Sequence, residues 1–171
     1  MKHVLAVLVE NKPGVLARIS GLFSRRGFNI DSLTVGETLD PHISRMTITV
    51  TGDASTLEQV VKQLNKLINV IKISNVTEDP AVVRELMLIK VQADPQTRSD
   101  IQQIVETFRG KVVDVSLDSL VIEITGDEEK LEAIKILLQH FGIKELVRTG
   151  KVAILRGSKT TRESNGVVSG K

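Results

Sequence analysis

The sequence predicts an α+β protein made of two ferredoxin-like βαββαβ domains, the second a divergent version of the first. Three observations carry that expectation. Apolar residues switch between strand-like and helix-like spacing along the chain. The resulting order of elements occurs twice. The stretches "TGDASTLE" at 51–58 and "TGDEEKLE" at 125–132 fall in the same slot of each half, where a strand turns into the second helix.

Val4 to Val9 is a continuous apolar run of strand length, and Val15, Leu16, Ile19, Leu22 and Phe23 then recur at helical spacing. Residues 29–36 read as the second strand. Met46, Ile48 and Val50 alternate with Thr47, Thr49 and Thr51, as in a half-buried third strand. Leu57, Val60, Val61, Leu64, Leu67 and Ile68 form one helical stripe, and Val70 to Val76 closes the half as a strand. "TEDPAVVRE", ending at Glu85, carries charge and a proline, and residues 78–85 are read as a linker. The pattern restarts with a strand at Leu86 to Val91, a stripe of Ile101, Ile104, Val105 and Phe108, and a strand at Val112 to Val115. Leu120, Ile122 and Ile124 alternate, Leu131, Ile134, Leu138 and Phe141 return to helical spacing, and strand material follows at 143–149 and 152–155. In each repeat the glycine bends the chain and the aspartate, Asp53 or Asp127, is placed to cap the next helix. The expected domains are 1–77 and 86–157, followed by a flexible tail, small, polar and patternless, at 158–171.

The chain has 171 residues, and two such small halves need to pack on each other or on copies of themselves. A net charge of +2 from mixed acids and bases, with four Phe and no Tyr or Trp, argues against a nucleic-acid partner. The absence of Cys excludes disulfides and thiolate metal sites and fits a reducing compartment. The apolar run from Val4 ends at Glu10, too short for a membrane span, so the expected location is the cytoplasm.

The chain breaks itself twice around the first helix. Pro13 is suited to the first helical position, where its missing N–H costs nothing, and Gly14 leaves the helix start without a side chain. Free backbone N–H groups and the positive end of the helix dipole then offer a seat to a carboxylate or phosphate. The same residues also make an ordinary turn, and the loop lacks the Gly-Lys-Ser/Thr ending of a phosphate loop, so any anion held there is small. At the other end, Arg25, Arg26 and Gly27 suit a helix carboxyl terminus, and Asn29 opens a strand although Asn disfavours strands. Residues 11 and 29 lie at opposite ends of one helix, roughly 20 Å apart at about 1.5 Å per residue, so one subunit cannot bring both to one small ligand. Two copies can.

"ENKPGVLARISGLFSRRGFNIDSLTVG" followed by "SRMTITV" resembles the regulatory (small) subunit of acetohydroxyacid synthase, also called acetolactate synthase. The resemblance continues through "RGKVVDVS" and "ELVRTGKVAILRG" and spans about residues 2–157; the run "FSRRGFNIDSLTVG" is its most specific part. It implies that the first half is an ACT domain, that two such domains pair side by side, and that a branched-chain amino acid, chiefly valine, binds between them. Carried over by position, Asn11, Pro13, Gly14, Val15 and Leu16 of one chain with Asn29 and Ile30 of its neighbour form that effector site. The resemblance further implies a homodimer or higher oligomer and a catalytic (large) subunit as partner, with thiamine diphosphate and magnesium held there and no cofactor in this chain. The second half departs from the pattern: its loop is "QADPQTRSD" and its helix ends "FRGKVVDV", so no effector site is expected in it.

No nucleophile and base, carboxylate pair or metal cluster stands out, so no catalytic or metal-ligating residues are expected. His3, His42 and His140 are scattered and read as surface or edge residues; Glu128 and Glu129 open a helix, where acids suit the dipole. Arg156 and Lys159 read as tail solvation. A free-standing ACT-type amino acid sensor is the alternative function, and a small acylphosphatase-like enzyme a second; the latter would need an Arg and an Asn around a phosphate loop. Contact with the catalytic partner is expected near residues 36–45.

Overall fold

The computed structural model describes residues 1–161. They form two compact units: residues 1–82 together with 151–161, and Val83–Gly150. No helix among the described residues is long and apolar enough to cross a membrane.

The first unit contains β1 (Lys2–Glu10), α1 (Val15–Arg25), β2 (Ser32–Glu37), β3 (Ile43–Thr51), α2 (Ala54–Leu64) and β4 (Val70–Asn75). Its antiparallel sheet has the order β2-β3-β1-β4, as a βαββαβ unit requires. The continuous apolar run of β1 reflects its central place, because both faces are covered. Leu5, Val7 and Val9 join the core beneath the helices with Met46, Ile48, Val50, Ile19 and Phe23. Val4, Ala6 and Leu8, on alternate positions, are also buried but belong to the opposite face. The α1 stripe is narrower than its spacing suggested: Val15, Ile19, Leu22 and Phe23 are buried, whereas Leu16 is 45% exposed. Likewise α2 ends at Leu64, so Ile68 lies beyond the helix and is 89% exposed.

Asp53 caps α2, accepting from the Thr56 backbone N–H at 2.8 Å, and Asp127 caps a later helix by accepting from the Lys130 N–H at 3.0 Å. Hydrogen bonds from the Thr56 backbone N–H and from the Ser55 and Thr56 hydroxyls hold the Asp53 carboxyl down at about 2. An acid whose native value is depressed stabilises the fold fully above its unfolded value near 4, and that contribution disappears as pH falls toward about 2. Asp53→Ala is therefore expected to lower the thermal midpoint at pH 6 and to melt close to wild type at pH 2. An equal difference at both pH values would contradict the cap.

The second unit repeats the order with β5 (Ala81–Gln92), α3 (Arg98–Thr107), β6 (Lys111–Val115), β7 (Ser119–Gly126), α4 (Glu128–Gln139) and β8 (Ile143–Arg148). The sheet runs β6-β7-β5-β8, and β9 (Val152–Leu155) pairs with β5. Its own core gathers Met87, Ile89, Val91, Ile101, Leu120, Ile122, Ile124 and Leu131. Residues 81–85, read as linker, are strand: AVVRELMLIKVQ is continuous β5, and Arg84 is accommodated by facing outward. The chain from Lys151 groups with the first unit, where Arg45 Nη2 donates to Ala153 O at 2.6 Å and Arg156 N to Pro80 O at 2.9 Å. These bonds join residues far apart in sequence, and no local pattern signals them.

The polar stretch from 158 is not free where it is described. Lys159 pairs with Asp79 at 3.1 Å, and Thr161 is 4% exposed. Arg156, read with Lys159 as solvation, also donates from Nε to Ala81 O at 3.4 Å. The remainder of the expected tail, 162–171, lies outside the described residues. His3, expected at the surface or an edge, is buried at 6% on β1, with Nε2 3.3 Å from Gly52 O. His42 and His140 are exposed, and Glu128 and Glu129 occupy the first turn of α4.

Candidate functional site

The loop from Glu10 to Gly14 delivers the chain from the end of β1 to the start of α1. Pro13 does not take the first helical position; that residue is Val15, and Gly14 is the N-cap with φ 83° and ψ −9°. Such a left-handed backbone suits glycine, and the helix starts two residues later than Pro13 at its first position would set it. Gly14 offers no side chain, no side chain caps α1, and its first turn has no acid. Val15 N–H reaches Lys12 O at 3.4 Å, while the N–H groups of Gly14, Leu16 and Ala17 have no acceptor among the described residues. The other three helices differ. Asp53 and Asp127 fill the starts of α2 and α4, and Asp94 accepts from the N–H groups of Gln96 and Thr97 at 2.9 and 2.8 Å just before α3.

Asn11 is clamped beside this open helix end. Its backbone N–H donates to His42 O at 2.8 Å, and its side-chain Nδ2 donates to Pro41 O at 2.9 Å and to Glu37 Oε1 at 3.3 Å. Two acceptors fix which way the amide points, and Oδ1 is left facing no donor among the described residues. Behind the loop, Asn69 Nδ2 donates to Glu10 Oε2 at 2.7 Å, Lys12 pairs with the same carboxylate at 3.2 Å, and Arg18 Nη1 donates to Asn69 Oδ1 at 2.8 Å. The Asn69 hydrogen bond, then Lys12, hold the Glu10 carboxyl below its usual range. The sequence pattern does not single out Glu37, Asn69 or Arg18. They meet the loop across 26 to 59 positions, and nothing in their local composition marks them.

The carboxyl end of α1 closes as its residues imply. Arg26 N–H returns to Leu22 O at 3.2 Å, Gly27 at φ 71° to Ser24 O at 3.1 Å, and Phe28 to Phe23 O at 3.0 Å, while the two Phe rings meet edge to face at 6.3 Å. This cap aims residues 29–31 onto the sheet without making them strand: β2 begins at Ser32, not at Asn29, in keeping with the weak strand preference of Asn. Asn29 is exposed and donates to Asp31 Oδ1 at 3.1 Å; Ile30 is half-buried against the core. Of the seven residues expected in the site, Asn11, Pro13, Gly14 and Leu16 gather at one end of α1. Val15 turns its side chain into the core and presents only backbone. Asn29 and Ile30 lie at the other end, past eleven helical residues, or about 16 Å at 1.5 Å per residue.

The strand order links the two ends. β2 is an edge strand, with Asn29 and Ile30 just before its first residue and Asn11 bonded to Glu37, its last. A two-fold that pairs β2 antiparallel with a second β2 sets the start of one against the end of the other. Open N–H groups suit a carboxylate, Asn11 Oδ1 and Glu37 suit an ammonium group, and exposed Leu16 with half-buried Ile30 offers an apolar wall. No group of three or more His, Asp or Glu suited to a metal ion occurs among the described residues.

Comparison with known proteins follows the same division. A family model for an acetolactate synthase small-subunit-like ACT domain matches residues 5–72, and one for the small subunit of acetolactate synthase matches residues 84–157. A probable acetolactate synthase small subunit of Archaeoglobus fulgidus is 60% identical over 159 residues, covering 93% of this chain and 99% of that one. An acetolactate synthase small subunit of Mycolicibacterium smegmatis is 59% identical over 157 residues, covering 92% of each. The crystal structure of the acetolactate synthase small subunit from Thermotoga maritima superposes with a TM-score of 0.85 at 45% identity, over 93% of this chain and 99% of that chain.

Proposed function

The chain belongs to the acetolactate synthase small-subunit family, and from that premise we propose that it is an amino acid sensor that regulates the catalytic subunit. Two protomers pair through β2. A branched-chain amino acid, chiefly valine, lies between the Asn11–Leu16 segment of one and Asn29 and Ile30 of the other. The empty dimer supports the catalytic subunit, and the filled dimer weakens that support.

One observation carries this reading: α1 alone among the four helices starts without an aspartate that accepts backbone N–H groups at or just before its first turn, and it does so beside an oriented amide tied to the end of an edge strand. The carboxylate would sit on the N–H groups of residues 14–16, and the α-ammonium on Asn11 Oδ1. The second domain takes no effector, because Asp94 already supplies a carboxylate where the ligand's own would go. Valine shifts activity only as far as it prefers one arrangement of the dimer; a coupling of about 1–3 kcal/mol corresponds to roughly 5- to 150-fold in partner activity. The chain has no active site of its own in this reading. Thiamine diphosphate and magnesium belong to the catalytic partner, and the complex works in the cytoplasm.

Calorimetric titration of valine, leucine and isoleucine, with sedimentation of the same samples, tests the proposal. The expected result is saturable valine binding at one or two ligands per dimer and copurification with a thiamine diphosphate enzyme. A strict monomer that ignores all three amino acids at millimolar concentration would overturn it. Valine binding without any thiamine enzyme partner would instead favour a free-standing sensor.

A further inference from the structure

The asparagines at the two ends of α1 are turned the same way, by different residues. Asp31 stands just before β2 and is fixed to β3: its backbone N–H donates to Thr49 O at 2.9 Å, and its Oδ2 accepts from the Thr51 hydroxyl at 2.6 Å. Its other oxygen, Oδ1, accepts from Asn29 Nδ2 at 3.1 Å. An ionised carboxylate has no hydrogen to give, so only the NH2 end of the Asn29 amide can face it. Asn29 Oδ1 is thereby turned away from Asp31, and it meets no donor among the described residues. At the other end of the helix, Asn11 commits its Nδ2 to Pro41 O and the Glu37 carboxylate, and its Oδ1 is left in the same condition.

Two carbonyl oxygens that lack donors suit a group with several N–H bonds and no lone pair, and an α-ammonium is such a group. A hydrogen or a keto oxygen in its place would leave both acceptors unpaired once water is displaced. A site built around such hydrogen bonds rejects the analogue that lacks the donor. Asp31 and Asn29 are both exposed, so substitution at either leaves the core intact.

We propose that Asp31 is a positioning residue for the effector: it holds Asn29 with Oδ1 outward, as the second acceptor for the ligand's ammonium group. Asp31 itself does not touch the ligand. The two oriented amides make the seat selective for α-amino acids over carboxylates of the same skeleton without the amine. This role rests on the proposed pairing, which brings Asn29 of one protomer to the Asn11 loop of the other.

Calorimetric titration of valine into the full chain, wild type and variants, tests the role. 3-Methylbutanoate, which is valine without its amine, is expected not to displace valine even at about 100-fold excess. Asp31→Ala and Asp31→Leu remove the acceptor at two side-chain sizes and are expected to weaken valine about tenfold or more, with sedimentation unchanged from wild type. Asp31→Asn keeps an oxygen for Asn29 Nδ2 and can donate to the Thr51 hydroxyl, so its affinity should stay within about threefold of wild type. Asn29→Ala should cost at least as much as Asp31→Ala, and the double variant no more than Asn29→Ala alone. A residue that only fastened the loop to β3 would give losses that add. Additive losses, unchanged affinity in both Asp31→Ala and Asp31→Leu, loss of the oligomer along with the ligand, or ready displacement by 3-methylbutanoate overturns this role and leaves the valine seat standing. Wild type indifferent to valine removes the seat, and the role of Asp31 with it.

Discussion

Gly14→Asp is expected to weaken valine at least 100-fold in calorimetric titration while leaving a folded chain. The new carboxylate would stand where the ligand's own is proposed to sit, taking the N–H groups of α1 for itself as Asp94 does before α3. A 100-fold loss is about 2.7 kcal/mol, the scale of one charge-assisted hydrogen-bond set lost together with like-charge repulsion. The fold survives for two reasons. A Cβ built on Gly14 meets nothing within 4 Å, so no overlap arises. The φ of 83° costs a side-chain-bearing residue about 1–2 kcal/mol, least for Asp and Asn, which visit this region most readily. Gly14→Asn separates charge from strain, since it shares the backbone cost without the negative charge, and it should retain most of the affinity. Equal valine affinity in wild type and Gly14→Asp would remove the site.

Val35→Pro is expected to turn the proposed dimer into a monomer and to abolish valine binding with it. Thr38 N–H bonds to Ile43 O across the β2–β3 ladder, and antiparallel alternation then points the N–H groups of Leu33 and Val35 away from β3 toward the open edge. Proline at position 35 therefore deletes no bond inside the sheet, yet it removes a donor from the edge and sets its ring in the path of a second β2. Each two-fold interface loses two such bonds; at about 1 kcal/mol each the dimer weakens about 30-fold before any ring clash is counted. Sedimentation would report the monomer and calorimetry the lost site. A Val35→Pro dimer that still binds valine would show that the pairing runs through another surface.

Much of the fold was legible before any coordinates. The duplicated βαββαβ order, the capping aspartates Asp53 and Asp127 and the Arg25–Gly27 helix end are all local signals, and local physics suffices to set them. The errors have one source. Proline favours the first helical position, so the sequence points to Pro13, but with left-handed Gly14 as N-cap the helix starts two residues later, at Val15. Asn29 was put in a strand, yet residues 29–31 follow the α1 cap and β2 begins at Ser32. Residues 81–85 read as a linker by their charge and proline, yet they form the start of β5. His3 reads as a surface or edge residue, yet it is buried on the central β1, because a single polar side chain says nothing about which strand lies centrally.

The sequence by itself determined the α+β class, the duplication, the two breaks around α1 and the family resemblance, because periodicity, caps and turns act within a few residues of one another. Tertiary structure alone decided that Asn11 is oriented by Glu37 and Pro41, that residues 151–161 return to the first unit, and that Arg45 and Lys72 flank Leu8. Those pairings close loops of tens of residues, and a chain records no local mark of which distant partner will satisfy a hydrogen bond or share a sheet face.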